Sequence, residues 1–199
     1  MIPITTTSST LADAVWPHAE GKSWARNIIL AIVGSLLLTL SAKIQIPFWP
    51  VPMTMQTFAV LVIAMAYGPR LGTATILLYL AQGTVGLPVF AGTPEKGIGL
   101  AYMAGPTGGY LVGFLTASVC LGYLNTRGWD RSVLTTLVAM TLGTAIIFGF
   151  GYGWLTTLIG AEKAWILGVQ PFLLGAVLKI ALAAAVLPTL WKVLNRDAN

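Results

Sequence analysis

The chain has 199 residues, of which 56% are hydrophobic and 9% are charged, and its formal net charge is +5 at pH 7. A soluble domain carries about 25% charged residues, so this composition excludes a soluble protein and indicates an integral membrane protein. The basic residues stand in ones and twos at the ends of apolar segments, which argues against nucleic acid as a partner. Cys120 is the single cysteine, so no disulfide can form within the chain.

The apolar segments predict six membrane spans, because a spanning helix needs about 20 apolar residues. In chain order they lie near residues 26–43, 53–67, 71–89, 107–124, 132–155 and 170–191. We therefore predict an all-α integral membrane protein with six transmembrane helices in one domain, residues 26–191. A loosely ordered lead of residues 1–25, without the features of a signal peptide, precedes this domain, and a tail of residues 192–199 follows it.

The distribution of basic residues predicts the orientation in the membrane, since positive charge accumulates on the cytoplasmic side. One side carries Lys22, Arg26, Arg70, Arg127, Arg131, Lys192 and Arg196, whereas the other carries only Lys43, Lys96 and Lys163. Both termini are therefore predicted to be cytoplasmic. The connections 44–53, 90–106 and 156–169 are predicted to face outward.

In the first span, Ala31 and Ser35 are small residues one helical turn apart. Small residues let helix backbones approach closely, so this pair can serve either internal packing or a face for another membrane protein.

The outward connections are rich in proline and glycine. Residues 46–56 contain three prolines and end in polar residues that include Thr54 and Gln56, which predicts a stiff pocket wall or lid. Residues 79–92 should break regular helix near the outer face, and such backbone is tolerated at membrane depth only where it is buried or lines a cavity. Anchoring at the interface explains Trp49 and Tyr102 about as well as ligand binding does.

Lys179 stands in the otherwise apolar segment 171–187. A lysine near the middle of a bilayer costs about 2.5 to 3.5 kcal/mol, so it is expected to face the bundle interior and meet a partner. None of the six acidic residues lies in another apolar span, so the counter-charge is either missing or supplied from outside, as a bound anionic ligand would do. The alternative is that the side chain of Lys179 extends along apolar surface to reach water.

Four sequence blocks resemble the BioY family, the biotin-specific substrate-binding (S) components of energy-coupling factor (ECF) transporters. They are IPFWPVPMTMQ at 46–56, GLPVFAG at 86–92, GPTGGYLVGF at 105–114 and PFLLGAVLK at 171–179. The resemblance implies a six-helix ECF S-component fold in the bacterial cytoplasmic membrane, with biotin bound near the outer surface. It also implies a transmembrane T component and two ABC-type ATPases, dedicated or shared, as partners within the lipid membrane.

The resemblance also implies site residues. Lys179 matches the intramembrane lysine that contacts biotin, and Thr54, Gln56 and Tyr110 match motif positions. Members often carry Asp three residues before the lysine, where this sequence has Ala176, so another group must accept from the ureido N–H groups. The candidate acceptors are Gln56, Gln82, Gln170 or a backbone carbonyl. The candidate partner for the ligand carboxylate is Lys96. The candidates for contact with the apolar body of biotin are Phe90, Tyr102, Met103 and Trp49.

Three alternatives remain at the level of sequence. An intramembrane enzyme lacks its parts, because His18 is the only histidine and no acidic pair or metal-binding spacing lies in a span. A non-transport membrane scaffold predicts no small-molecule binding. An S component for a different vitamin is the third, which Ala176 makes relevant. We also predict no metal and no covalently bound cofactor. The chain has no ATP-binding motif, so we predict ATP use only through partner ATPases.

Overall fold

The protein is mostly helical in the part described by the structure, a computed structural model that describes residues 10–17, 23–46 and 49–196. The helices are α1 (Leu11–Val15), α2 (Ser23–Lys43), α3 (Gln56–Thr84), α4 (Gly99–Met103), α5 (Gly108–Thr126), α6 (Val133–Ile159), α7 (Ala161–Gly168) and α8 (Leu173–Arg196). An antiparallel ribbon of β1 (Gln45–Ile46) and β2 (Met53–Thr54) links α2 to α3, and a 3-10 turn, Gln170–Phe172, precedes α8. The prediction of an α-helical protein is confirmed.

Four helical stretches of the described residues are long and apolar enough to cross a membrane, judged by length and composition. They are Ser23–Lys43, Gln56–Thr84, Val133–Ile159 and Ala161–Leu194. These stretches coincide with five of the six predicted spans, two of which fall together in α3.

Helix α3 is not straight but reverses direction at Gly68, whose φ of 77° and ψ of −174° are non-helical. A Cβ placed on Gly72 would lie 3.1 Å from the Cα of Ala64. Residues eight positions apart in a continuous helix are about 12 Å apart, so the chain must fold back here. Helix α3 therefore consists of two antiparallel arms, residues 56–67 and 69–84, and Pro69 occupies the first turn of the second arm.

The predicted count of six helices is not confirmed. Two predicted spans share α3, and the short helices α1, α4 and α7 lie in segments that were predicted to be the lead or connections. Short helices pair backbone polar groups locally, which explains why they form in connections that lie next to an apolar phase.

Helix α1 shows that part of the lead packs against the bundle. Thr10 caps the helix by accepting a hydrogen bond from the backbone N–H of Asp13, and Leu11 is buried. The Asp13 carboxylate pairs with the buried guanidinium of Arg26 at 3.0 Å, which ties α1 to α2. Residues 1–9 and 18–22 of the predicted lead, and residues 197–199 of the predicted tail, lie outside the described residues.

Helix α5 packs in the middle of the bundle because its glycines permit close contacts on two sides. A Cβ on Gly113 would lie 2.8 Å from the Cα of Ile147 in α6, and one on Gly122 would lie 2.4 Å from the Cα of Pro69 in α3. Larger side chains at these positions would separate the helices.

A buried carboxylate fixes the far end of α8. Asp130, in the connection between α5 and α6, accepts hydrogen bonds from Trp191 Nε1 at 2.6 Å and from Asn125 Nδ2 at 3.1 Å. Burial raises the pKa of Asp130, and these hydrogen bonds oppose that effect. With its far end held in this way, α8 places its first half beside α3 and α6, where the cavity that Lys179 lines is found.

Candidate ligand-binding site

A cavity lies between the first arm of α3 and helices α5, α6 and α8. It contains about 730 Å³ of empty space, including the part that is open to the surface. Its apolar lining consists of Val51, Pro52, Leu61, Ala91, Leu111, Phe114, Ile147, Phe148, Phe172 and Ala176. Its polar lining consists of Thr54, Gln56, Thr57, Tyr102, Thr107, Tyr110, Thr144 and Lys179. An apolar enclosure with a few placed polar groups is typical of small-molecule sites.

Lys179 projects from α8 into this cavity. Its Nζ donates hydrogen bonds to the backbone carbonyl of Thr54 at 2.5 Å and to Thr57 Oγ1 at 3.0 Å. Of the described residues that line the cavity, Lys179 is the only one with a charged side chain. Two neutral oxygens satisfy hydrogen bonds of the ammonium group but do not neutralise it, so the cavity favours a ligand with anionic or strongly accepting oxygen atoms.

Gln56 is the buried first residue of α3, and a hydrogen-bond chain sets the orientation of its amide. Tyr79 Oη donates to the carbonyl of Val89 at 3.0 Å, so it must accept from Gln56 Nε2, which lies 2.6 Å away. This arrangement leaves Gln56 Oε1 as an acceptor on a residue that lines the cavity. Gln56 can therefore accept from a ligand N–H group close to Lys179.

Tyr102 and Tyr110 form part of the wall, and both hydroxyl groups are engaged in backbone hydrogen bonds. Tyr102 Oη donates to Ala91 O at 2.8 Å, and Tyr110 Oη donates to Gly168 O at 2.6 Å. Burial raises the pKa of Tyr102, which keeps its hydroxyl protonated as a donor. These tyrosines tie the connection after α3 and the end of α7 to the cavity, and they offer their rings to a ligand.

Phe90 supports the wall from behind instead of lining the cavity. Its ring stacks on Tyr102 with centroids 4.9 Å apart and meets Tyr79 edge to face at 5.4 Å. Phe90 therefore contacts the lining residue Tyr102, and its predicted direct contact with a ligand stays a prediction.

Several predicted site residues do not reach the cavity. Lys96 and Gln170 are exposed, and neither is part of the lining. Trp49 is 72% exposed, and Met103 Sδ accepts from Thr84 Oγ1 outside the cavity. Sequence position on the outer side does not specify which side of a connection faces inward, so a role of these residues in ligand binding stays a prediction.

Ser35 and Gln82 contact each other in the interface between α2 and the second arm of α3. Ser35 is fully buried and its hydroxyl donates to Gln82 Oε1. Ser35 therefore cannot present its side chain to another protein, and Gln82 is engaged away from the cavity. Ala31, one turn earlier, is half-buried, and a partner face that includes it stays a prediction.

Sequence reasoning missed Thr57, Thr107 and Thr144 as lining residues. Thr144 is a polar residue within the most apolar span, and Thr107 lies within a quoted motif, so both carried a usable signal. Lys43 was also missed: its Nζ donates to the carbonyls of Phe90 and Thr93 at 3.0 and 2.9 Å. Lys43 thereby fastens the connection that carries Ala91 over the cavity.

The chain resembles known biotin transporters in sequence and in fold. The sequence profile of the BioY family matches residues 8–196. A "Probable biotin transporter BioY" of Pyrococcus horikoshii is 37% identical over 81% of this chain and 94% of its own length. The "Biotin transporter BioY" of Thermotoga maritima is 35% identical over 81% of this chain and 93% of its own.

One solved structure shares the fold, the crystal structure at 2.1 Å of the S-component for biotin from an ECF-type ABC transporter. The TM-score is 0.75 at 22% identity, and the match covers 88% of this chain and 95% of that chain. The expected S-component fold is confirmed by this likeness. Since the family profile spans nearly the whole chain and these relatives exceed 30% identity over most of their length, the chain belongs to the BioY family.

Proposed function

We propose that the chain is the biotin-binding S component of an ECF transporter in the bacterial cytoplasmic membrane. It binds biotin in the cavity near the outer face and delivers it inward. Family membership supports the choice of ligand. The observation that carries the assignment of the site is Lys179, a charged side chain in an apolar cavity whose described lining contains no acidic residue.

The polar end of the cavity complements the ureido ring of biotin. In this proposal Lys179 Nζ donates to the ureido carbonyl, and Gln56 Oε1 accepts from a ureido N–H group. The two side chains line the same cavity, and Gln56 begins α3 two residues after Thr54, whose carbonyl accepts from Lys179. Gln56 thus supplies the acceptor that an acid in place of Ala176 would otherwise provide. The rings of Tyr102, Tyr110 and the phenylalanines of the lining pack against the bicyclic body.

The proposal includes six crossings of the membrane, made by α2, the two arms of α3, α5, α6 and α8, with both termini in the cytoplasm. Transport is driven by a T component and two ABC-type ATPases, dedicated or shared, because the sequence has no ATP-binding motif of its own. No covalently bound cofactor takes part. The chain is not an enzyme in this proposal.

Equilibrium binding of biotin to the purified chain tests the proposal. Lys179→Met keeps the apolar stem and removes the charge, and we expect it to weaken binding at least tenfold, or about 1.4 kcal/mol. Lys163→Met is the matched control, because Lys163 is exposed and lies outside the cavity lining. Equal affinity of the two variants, with unchanged size-exclusion profiles, would remove Lys179 from the site.

A different vitamin is the second candidate ligand, and Ala176 favours it, because the acid common at this position in the family is absent. Competition among biotin, desthiobiotin, thiamine and riboflavin distinguishes the two. A folded wild-type chain that binds thiamine or riboflavin but not biotin would reassign the ligand.

A further inference from the structure

A second cavity lies at the opposite end of the bundle from Lys179. It is lined by residues of α1 and α2, by the reversal of α3 and by the end of α5 with the connection that follows. Asn125 belongs to this lining and Tyr110 to the first cavity. Fifteen residues of α5 separate them, which corresponds to roughly 22 Å along the helix. The second cavity is therefore distinct from the proposed biotin site.

Arginine dominates the lining of this second cavity. Arg26, Arg70, Arg127 and Arg131 all belong to it, and we call this cavity with its arginines the basic cleft. Among the described residues of the lining, Asp13 is the only acid, and it is already paired with Arg26 at 3.0 Å. Arg131 interacts electrostatically with the buried carboxylate of Asp130, which is its neighbour in sequence. Arg70 and Arg127 form no ion pair with an acid among the described residues, so they give the basic cleft an excess of positive charge that a bound anion would balance.

Two of these arginines are held in place by aromatic residues. Arg127 Nη2 donates to Tyr123 Oη at 2.6 Å, and its Cζ lies 4.7 Å from the centroid of the Tyr123 ring. Arg131 Cζ lies 4.7 Å from the centroid of the Trp191 ring. Guanidinium groups positioned in advance lose less conformational entropy on binding, and their planar donors match the oxygens of phosphate.

The reversal of α3 adds backbone donors to the same cleft. Pro69, Arg70 and Leu71 line it and form the first turn of the second arm of α3. The first N–H groups of a helix have no partner within the helix, and together with the helix dipole they favour an anion. The arginines and the start of this helix line the same cavity. A general excess of positive charge on the cytoplasmic side would not require them to lie together.

The position of the cleft relative to the membrane points to the source of the anion. Trp16, Trp24 and Tyr123 belong to the same end of the bundle and are 43%, 68% and 55% exposed. Exposed tryptophan and tyrosine are typical of the level of the lipid headgroups. Basic pockets between helices at this level bind anionic headgroups.

From these observations we propose that the basic cleft binds a phosphate group, supplied by the headgroup of an anionic phospholipid or by a soluble phosphate compound. The exposed aromatic residues favour the lipid. This inference does not depend on the identity of the vitamin.

The test is lipid retention by the full chain in nanodiscs that contain phosphatidylcholine and phosphatidylglycerol, measured by native mass spectrometry. We expect wild type to retain phosphatidylglycerol in preference to phosphatidylcholine. Arg70→Gln and Arg127→Gln should each lower that preference about fivefold. Lys192→Gln is the matched control, because it removes one exposed positive charge from the same end of the bundle but lies outside the cleft lining.

A second arm adds inorganic phosphate to lipid-depleted protein in a zwitterionic detergent. A rise in the unfolding temperature of wild type, absent in Arg70→Gln, together with no lipid preference, would support the phosphate site and assign it to a soluble compound. If neither arm separates the two arginine variants from Lys192→Gln, the proposal is overturned and the arginines serve orientation alone. Arg70 and Arg127 are exposed, so the single variants are expected to fold.

Discussion

At the scale of single residues, Lys179 illustrates how a charged side chain in an apolar span predicts a binding site. Its charge in an apolar span identified it, but that context left open whether the side chain turns inward or extends to water. The hydrogen bonds to the carbonyl of Thr54 and the hydroxyl of Thr57 show that it turns inward. Both partners are neutral, so the charge remains available to a ligand.

Gln56 was one of several candidate acceptors, and the structure singles it out by burial and by its neighbours. Gln170 is exposed and Gln82 is bonded to Ser35, whereas Gln56 lines the cavity with its amide oriented by Tyr79. The identity of the acceptor thus depends on contacts between residues that are distant in sequence.

We expect Gln56→Leu to weaken biotin binding by about tenfold, since it leaves a buried ligand N–H group without an acceptor. Tyr79→Phe is the informative companion, because it removes the group that orients the amide but keeps Gln56 Oε1. It should cost less affinity than Gln56→Leu when both are measured by equilibrium binding. Equal losses would mean that Gln56 acts only by supporting Tyr79.

At the scale of elements, the reversal in α3 places one arm of the helix at each of the two cavities. It sets the first arm, which begins at the cavity that Lys179 lines, against the second arm, which begins at the basic cleft. The conformation of Gly68, with φ of 77° and ψ of −174°, is essentially restricted to glycine. A Cβ there would also lie 2.8 Å from Thr10 Cγ2.

Gly68→Ala is therefore expected to destabilise the protein by about 1 to 3 kcal/mol. Gly149→Ala is the matched control, because Gly149 lies within α6 and a Cβ on it would meet no atom within 4 Å. The unfolding midpoints of both variants in detergent should be compared with that of wild type. A midpoint of Gly68→Ala no lower than that of Gly149→Ala would contradict the proposed role of the reversal.

Helix α2 shows why small-residue spacing does not identify a partner surface. Ser35 faces α3, while the opposite side of α2 exposes apolar residues, among them Ile28, Ile32 and Leu36. Small residues permit close approach on whichever side they face, and the sequence alone does not say which side that is.

At the scale of the whole molecule, the arrangement of helices predicts that α7 and the end of α8 lie on opposite sides of the membrane. Lys163 and Lys192 are exposed at these two places, which makes them a matched pair for labelling. In a Cys120→Ala background, an impermeant maleimide should label Lys163→Cys in intact cells. Lys192→Cys should react only after the cells are permeabilised. Labelling of Lys192→Cys in intact cells would reverse the predicted orientation.

The sequence by itself determined the properties that depend on local composition. The apolar segments indicate a helical membrane protein, and the charge in the last span predicted that Lys179 faces the bundle interior, where it lines a cavity. The proline-rich segment before α3 likewise predicted Thr54 and Gln56 as pocket residues. Both line the cavity, together with Val51 and Pro52 of the same segment.

Only the tertiary structure decided which side chains meet. Lys179 and its partner Thr54 are 125 residues apart, and their contact requires the reversal at Gly68, the close packing of α5 and the fastening of α8 by Asp130. The same packing buried Ser35 and left Lys96 and Gln170 outside the cavity. It also gathered arginines from α2, from α3 and from the connection after α5 into one cleft. Such contacts depend on the three-dimensional path of the backbone, which no single segment of sequence specifies.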